Sequence, residues 1–144
     1  MHSREIDVLP LRQEMLGLIQ EFGPPASDLL LVDSVQQWAQ SVAIEERDPC
    51  RAGMAATRHQ DGVPFIAVLK RITEDIQGSV IGALKFRGFG PEADRVPDPA
   101  LFLEHLVLHE IAHLVLENPS EPDCDRWAFD RLCGKLSLSL GGAA

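Results

Sequence analysis

"HLVLHEIAHLVLENPSEPDCDRWAFDRL", His105–Leu132, carries three histidines at four-residue intervals, a glutamate beside the middle one, and a group of acids past a chain reversal. From Leu101 to Leu116 the sequence is apolar nearly all round a helix, the pattern of a helix buried in a core. Asp98-Pro99 supplies an N-cap and a proline at the first helical position, and Asn118-Pro119 ends the run. Polar groups buried without partners are costly, so the histidines and the glutamate in this helix require a reason.

His109 and His113 lie one turn apart on the same face. Their imidazoles can converge on one ion at Zn–N distances of about 2.0–2.1 Å. Glu110 points about 100° away from His109 around the axis, which suits it to a water on the ion rather than to the ion itself. This is the HExxH arrangement, two ligands and a base on one helix. Zinc would lower the pKa of such a water to about 7, and Glu110 would take its proton and hand it to a leaving amine. The alternative is a pair of core histidines bonded to carbonyls or carboxylates. His105 is about 12 Å from His113 along the axis, so it reads as a supporting or core residue, and Glu117 is disfavoured on the same ground. His2 and His59 have no partner pattern.

A catalytic zinc site needs a third protein ligand, and the acids downstream are Glu121, Asp123 and Asp125. Only "LVLENPS" separates His113 from Glu121. A tight helical hairpin of that length brings residue 125 level with 113, which favours Asp125, while Pro122 puts Glu121 at the mouth of the last helix. "HEIAH" followed by "EPDCDRWAFDRL" resembles the gluzincin branch of the zincin metallopeptidases, of the small intracellular ImmA/IrrE type. In that family the active-site helix is followed by E-x-x-A-[DN]-x-F-A. Glu121, Cys124, Asp125, Trp127 and Ala128 occupy the corresponding positions here, within the last third of the chain. The resemblance implies a zincin-like fold in which Glu121 completes the zinc site and Asp125 orients a ligand histidine. Glu121 and Asp125 both stand as candidates for the third ligand.

Around this stretch the sequence predicts an α+β fold: N-terminal helices, a small three-stranded antiparallel sheet, the buried active-site helix and a C-terminal helix. Leu11, Met15, Leu18, Ile19 and Phe22 share one helical face, and Gly23-Pro24-Pro25 stops that helix. A second helix is expected through Ser27–Glu46, with Leu31, Val35, Trp38 and Val42 inward, although "LLLV" also reads as a short strand. Three strands are expected within 51–58, 63–72 and 79–89, with Asp61-Gly62 as a hairpin turn. By analogy with the family, "VIGALKFR" at 80–87 is the edge offered to an extended peptide, and Gly88–Gly90 is a candidate lid. The last helix should start near Ser120–Pro122, carry Cys124, Trp127, Ala128 and Leu132 inward, and include Cys133; the tail "SLSLGGAA" is expected to fray.

The 144 residues suit one domain, 1–144. A net charge of −9 argues against direct binding of nucleic acid. The charged start is no secretory signal and no apolar run is long enough to span a membrane. Cys50, Cys124 and Cys133 follow no disulfide framework and read as small buried thiols in a cytoplasmic protein. The chain has no tyrosine, so an oxyanion would rely on the metal or on a nearby Arg or His; Arg126 and Arg131 flank the site in sequence. The function expected is a zinc-dependent peptidase acting on a peptide or protein, with Glu110 as base. The resemblance suggests a regulatory substrate such as a repressor, and a separate regulator as partner. The alternatives are a catalytically inactive zincin-fold module that acts by binding, and a metal hydrolase of other substrates.

Overall fold

In the computed structural model, which describes residues 5–58 and 60–136, the apolar run forms helix α5 (Pro99–Val115). His2, His59 and the tail "SLSLGGAA" lie outside the described residues. Asp98 caps α5 as expected, its carboxylate accepting a hydrogen bond from Leu101 N at 2.9 Å. Every residue from Phe102 to Ala112 is buried, because other elements pack on all sides of this helix. Helix α1 (Arg12–Phe22) covers it with Met15, Leu18 and Ile19. Past α5 the chain reverses through Asn118, whose φ of +45° lies in the left-handed region that asparagine tolerates. Helix α6 (Glu121–Arg131) then packs along α5. Ser120 and Asp123 fix its first turn as a capping box, at 3.2 and 3.0 Å. Cys124, Ala128 and Leu132 face inward and Trp127 is half-buried, but α6 ends before Cys133. Only Cys124 of the three cysteines is buried; Cys50 and Cys133 are exposed.

The sheet departs from the sequence expectation in two places. The stretch expected as one helix is strand β2 (Asp28–Val32) followed by helix α2 (Val35–Ser41), which Ser34 caps. "DLLLV" lacks a polar face and suits a strand flanked on both sides, whereas Asp33-Ser34 breaks the run and starts the helix. Val35 is buried and Trp38 packs edge-on to Phe65 at 4.9 Å, but Val42 is 41% exposed. Strands β3 (Gly53–Thr57) and β4 (Pro64–Leu69) form the expected antiparallel hairpin, with Gly62 at φ +70° in the turn. The third strand of their sheet is β2, parallel to β4, giving the order β2-β4-β3 and a mixed rather than antiparallel sheet.

Of the segment 79–89, expected as the third strand, residues 79–86 belong to helix α3 (Glu74–Phe86). The signals for a helix are present: Thr73 caps it, Glu74 and Asp75 occupy its first turn and Lys85 its last. These outweigh the strand tendency of Val80-Ile81. Just before it, β5 (Arg71–Thr73) pairs antiparallel with β1 (Glu5–Asp7) in a separate two-stranded sheet. The Gly- and Pro-rich stretch holds a short helix, α4 (Gly90–Ala93), and Phe89 is buried against Phe129, which anchors the Gly88–Gly90 segment. The described residues thus form an α+β structure with six α-helices and two small sheets. Among them no helix is long and apolar enough to cross a membrane.

Glu104 shows how this fold tolerates a charge in its core. Its carboxylate is fully buried on α5 and accepts hydrogen bonds from the backbone N–H groups of Cys133 (2.9 Å), Gly134 (3.1 Å) and Leu136 (3.0 Å). It therefore holds the segment beyond α6 onto α5. Hydrogen bonds to a charged group contribute about 1.5–3 kcal/mol each, and Glu104→Ala removes the acceptor of three amides, of which that of Leu136 is buried and those of Cys133 and Gly134 partly so. The substitution should destabilise the fold by about 3 kcal/mol or more in urea unfolding. Glu104→Gln should cost less, because its amide oxygen still accepts.

Candidate metal centre

The HExxH turn of α5 meets the first turns of α6. Nε2 of His109 lies 2.7 Å from Glu121 Oε2, and Nε2 of His113 lies 3.2 Å from Glu121 Oε1. The first contact is a close ionic one. The second is within ion-pair distance but lacks hydrogen-bond alignment, leaving the buried His113 Nε2 without a hydrogen-bond partner. Asp125 faces the other side of His109: its Oδ1 is 2.7 Å from His109 Nδ1, and its Oδ2 accepts from Arg87 Nε at 2.7 Å. The two acids thus take opposite edges of one imidazole. Asp123, the third acid, has a carboxylate engaged in the capping box. The side chain of Glu121 is 44% exposed and that of Asp125 fully buried.

The charges follow from these contacts. Burial would lower the pKa of His109, but its hydrogen bonds to Asp125 and Glu121 outweigh that and raise it to about 10. Glu121 is held well below the usual carboxylate range by His109 and His113. Asp125, despite burial, is held low by His109 and Arg87. His105 is pushed down to about 3 by burial and the neighbouring His109 charge, so it is neutral. Its Nε2, 3.6 Å from Asp125 Oδ1, has no hydrogen-bond partner. Burial and the surrounding carboxylates push the Cys124 thiol up to about 12.

Among the described residues, two sets of donors could hold a metal. His109, His113 and Cys124 offer ligand atoms within 4.8 Å of one another, and so do His105, His109 and Asp125. Imidazole, carboxylate and thiol together are a donor set suited to zinc. The orphaned His113 Nε2 and Glu110 Oε1, both buried, fit a group that would engage them.

Glu110 and His109 open into a cleft of about 200 Å³ between α5, α6, the C-terminal half of α3 and the start of β3. Gly53 passes directly over Glu110: a Cβ there would stand 3.3 Å from Glu110 Cγ and 3.4 Å from Oε2. β3 is the outer strand of its sheet, so the expected role of Val80–Arg87 as an edge strand is corrected; that segment is a helical wall of the cleft ending in Arg87. Ala52 O and Arg58 N bond inward to the β4 side, which turns Gly53, Ala55 and Thr57 outward. The Arg51 Nε–H donates to the Gly53 carbonyl at 2.7 Å.

Arg87 and Gly53 escaped the sequence reading. Arg87 is 38 residues from Asp125 and fell in a segment read as a strand. The helical signals at Thr73–Asp75 would have brought it to the C-terminal end of α3. Arg126 and Arg131, which flank the site in sequence, do not line the cleft: Arg126 pairs with Glu92 at 2.8 Å and Arg131 stacks on Trp127. The chain matches no protein-family model, no curated protein and no solved structure.

Replacing Asp125 leaves His109 and Arg87 without their buried anion. Asp125→Ala should destabilise the protein by about 3–5 kcal/mol in denaturant unfolding. The carboxylate favours protonated His109, so its removal should move the His109 titration down from about 10. An unchanged His109 titration by NMR would contradict this linkage.

Proposed function

We propose that the chain is a zinc-dependent peptidase of zincin-like fold, with His109, His113 and Glu121 as metal ligands and Glu110 as general base. The observation that carries this reading is the division of the two acids: Glu121 meets the Nε2 atoms of both histidines, whereas Asp125 meets Nδ1 of His109. Two histidines and a glutamate are a known catalytic zinc set, and a carboxylate on the far ring nitrogen fixes a ligand histidine's tautomer and orientation. Zinc there supplies a Lewis acid and a water whose pKa falls to about 7.

The rest of the chemistry belongs to the chain. Glu110 Oε1 is buried and has no hydrogen-bond partner, so it is poised to accept a proton. It would pass that proton to the amine of the departing product. Gly53, without a side chain, leaves Glu110 open to the cleft. The outward-facing backbone groups of Ala55 and Thr57 suit an extended peptide lying along β3 by strand addition. Arg87 and His105 line the cleft where the absence of tyrosine leaves the oxyanion to other donors. The free thiols of all three cysteines agree with a cytoplasmic setting. The resemblance extends to a regulatory protein as substrate, held by a separate partner.

A peptide mixture incubated with the zinc-loaded protein and followed by mass spectrometry tests this reading. Wild type should cleave. Glu110→Gln should keep its zinc and lose about 10²–10⁴-fold in rate; full activity in that variant would remove Glu110 from its role. Gly53→Ala should retain zinc and slow cleavage, because its Cβ crowds the Glu110 carboxylate. With its pKa at about 10, His109 holds a proton that zinc must displace. Zinc binding at neutral pH should therefore release protons in calorimetry across buffers of different ionisation enthalpy. Apparent affinity should weaken further as pH falls; pH-independent affinity between pH 6 and 9, roughly the range below that pKa, would contradict it.

A further inference from the structure

We propose that Cys124 supplies a sulfur ligand to this same centre, so that the resting site is closed by His109, His113, Glu121 and Cys124. The inference rests on the metal reading above and goes further, because the family pattern it resembles has a small residue at this position. Cys124 stands three residues after Glu121 on α6, which puts thiol and carboxylate on one face of the helix. A ligand atom on each of His109, His113 and Cys124 lies within 4.8 Å of the other two. Cys124 is fully buried and makes no disulfide, and the capping box fixes the turn that carries it. Glu110, buried beside His109, carries an unpartnered carboxylate oxygen into the cleft that His109 and Glu121 also line, marking a place where a polar ligand belongs next to these donors.

Coordination would form one metal–sulfur bond in place of a bound water, with the thiol proton released to solvent. A four-donor protein site is the structural kind, and a catalytic one keeps a position open. Sulfur at the fourth position holds the resting wild-type centre closed, so that cleavage proceeds only from the fraction in which the sulfur has dissociated, and it gives the centre a preference for soft ions.

The test uses cobalt-loaded protein in which Cys50→Ser and Cys133→Ser remove the two exposed thiols. The intense near-ultraviolet sulfur-to-cobalt charge-transfer band should be present, and absent from both Cys124→Ala and Cys124→Ser. The serine variant keeps the side-chain shape, and circular dichroism confirms its fold. Cadmium affinity should fall by more than about tenfold in both. Peptide cleavage should rise in Cys124→Ala. A cobalt spectrum with no sulfur band, or one unchanged by Cys124→Ala, overturns the proposal. A sulfur band that vanishes in Cys124→Ala, with no cleavage by any variant, upholds the sulfur ligand and refutes the peptidase reading instead.

Discussion

A single buried carboxylate, Asp125, holds the centre of this molecule together. It is fully buried, yet it joins three elements: α6, which carries it, α5 through His109, and the end of α3 through Arg87. α3 buries only Leu84 completely, so packing alone fixes it weakly and the Arg87–Asp125 pair gives it a defined place against the cleft. A buried acid and a buried imidazole are each costly alone. Together, and joined by a guanidinium, each supplies the counter-charge the other lacks.

Helix α5 obeys the same logic along its length. Its apolar residues would pack in many ways, but its acids and histidines admit few. Glu104 requires the amides of residues 133, 134 and 136, and His109 requires Asp125 on one side with Glu121 on the other. The polar residues therefore set the register of α6 and of the segment after it against α5. The sheet sets the remaining wall: β4 is central and almost wholly buried, while β3 is an edge that passes over Glu110 at a glycine.

Much of the candidate site's geometry was legible in the sequence because it is local. His109, Glu110 and His113 lie on one turn, and α5, its cap and its end follow from Asp98-Pro99 and Asn118-Pro119. The hairpin at Asp61-Gly62 is also a short-range signal, and it formed. What the sequence hid is non-local. A hairpin argument from spacing alone favoured Asp125 at the level of His113. In the structure Asp125 meets the Nδ1 edge of His109 and Glu121 reaches the Nε2 edges, a difference of ring face that axial level does not capture. The parallel pairing of β2 with β4 depends on contacts across more than thirty residues, as the partners Asp28 and Phe65 show. α3 was misread because Val80-Ile81 and two glycines obscured the cap at Thr73.

The account stands on the two acids having different duties, and zinc content of purified variants measures this directly. Glu121→Ala should abolish stoichiometric zinc, whereas Asp125→Asn should still bind zinc with affinity lower by about 10–100-fold. Full zinc in Glu121→Ala, together with its loss in Asp125→Asn, would reverse the assignment and contradict the account.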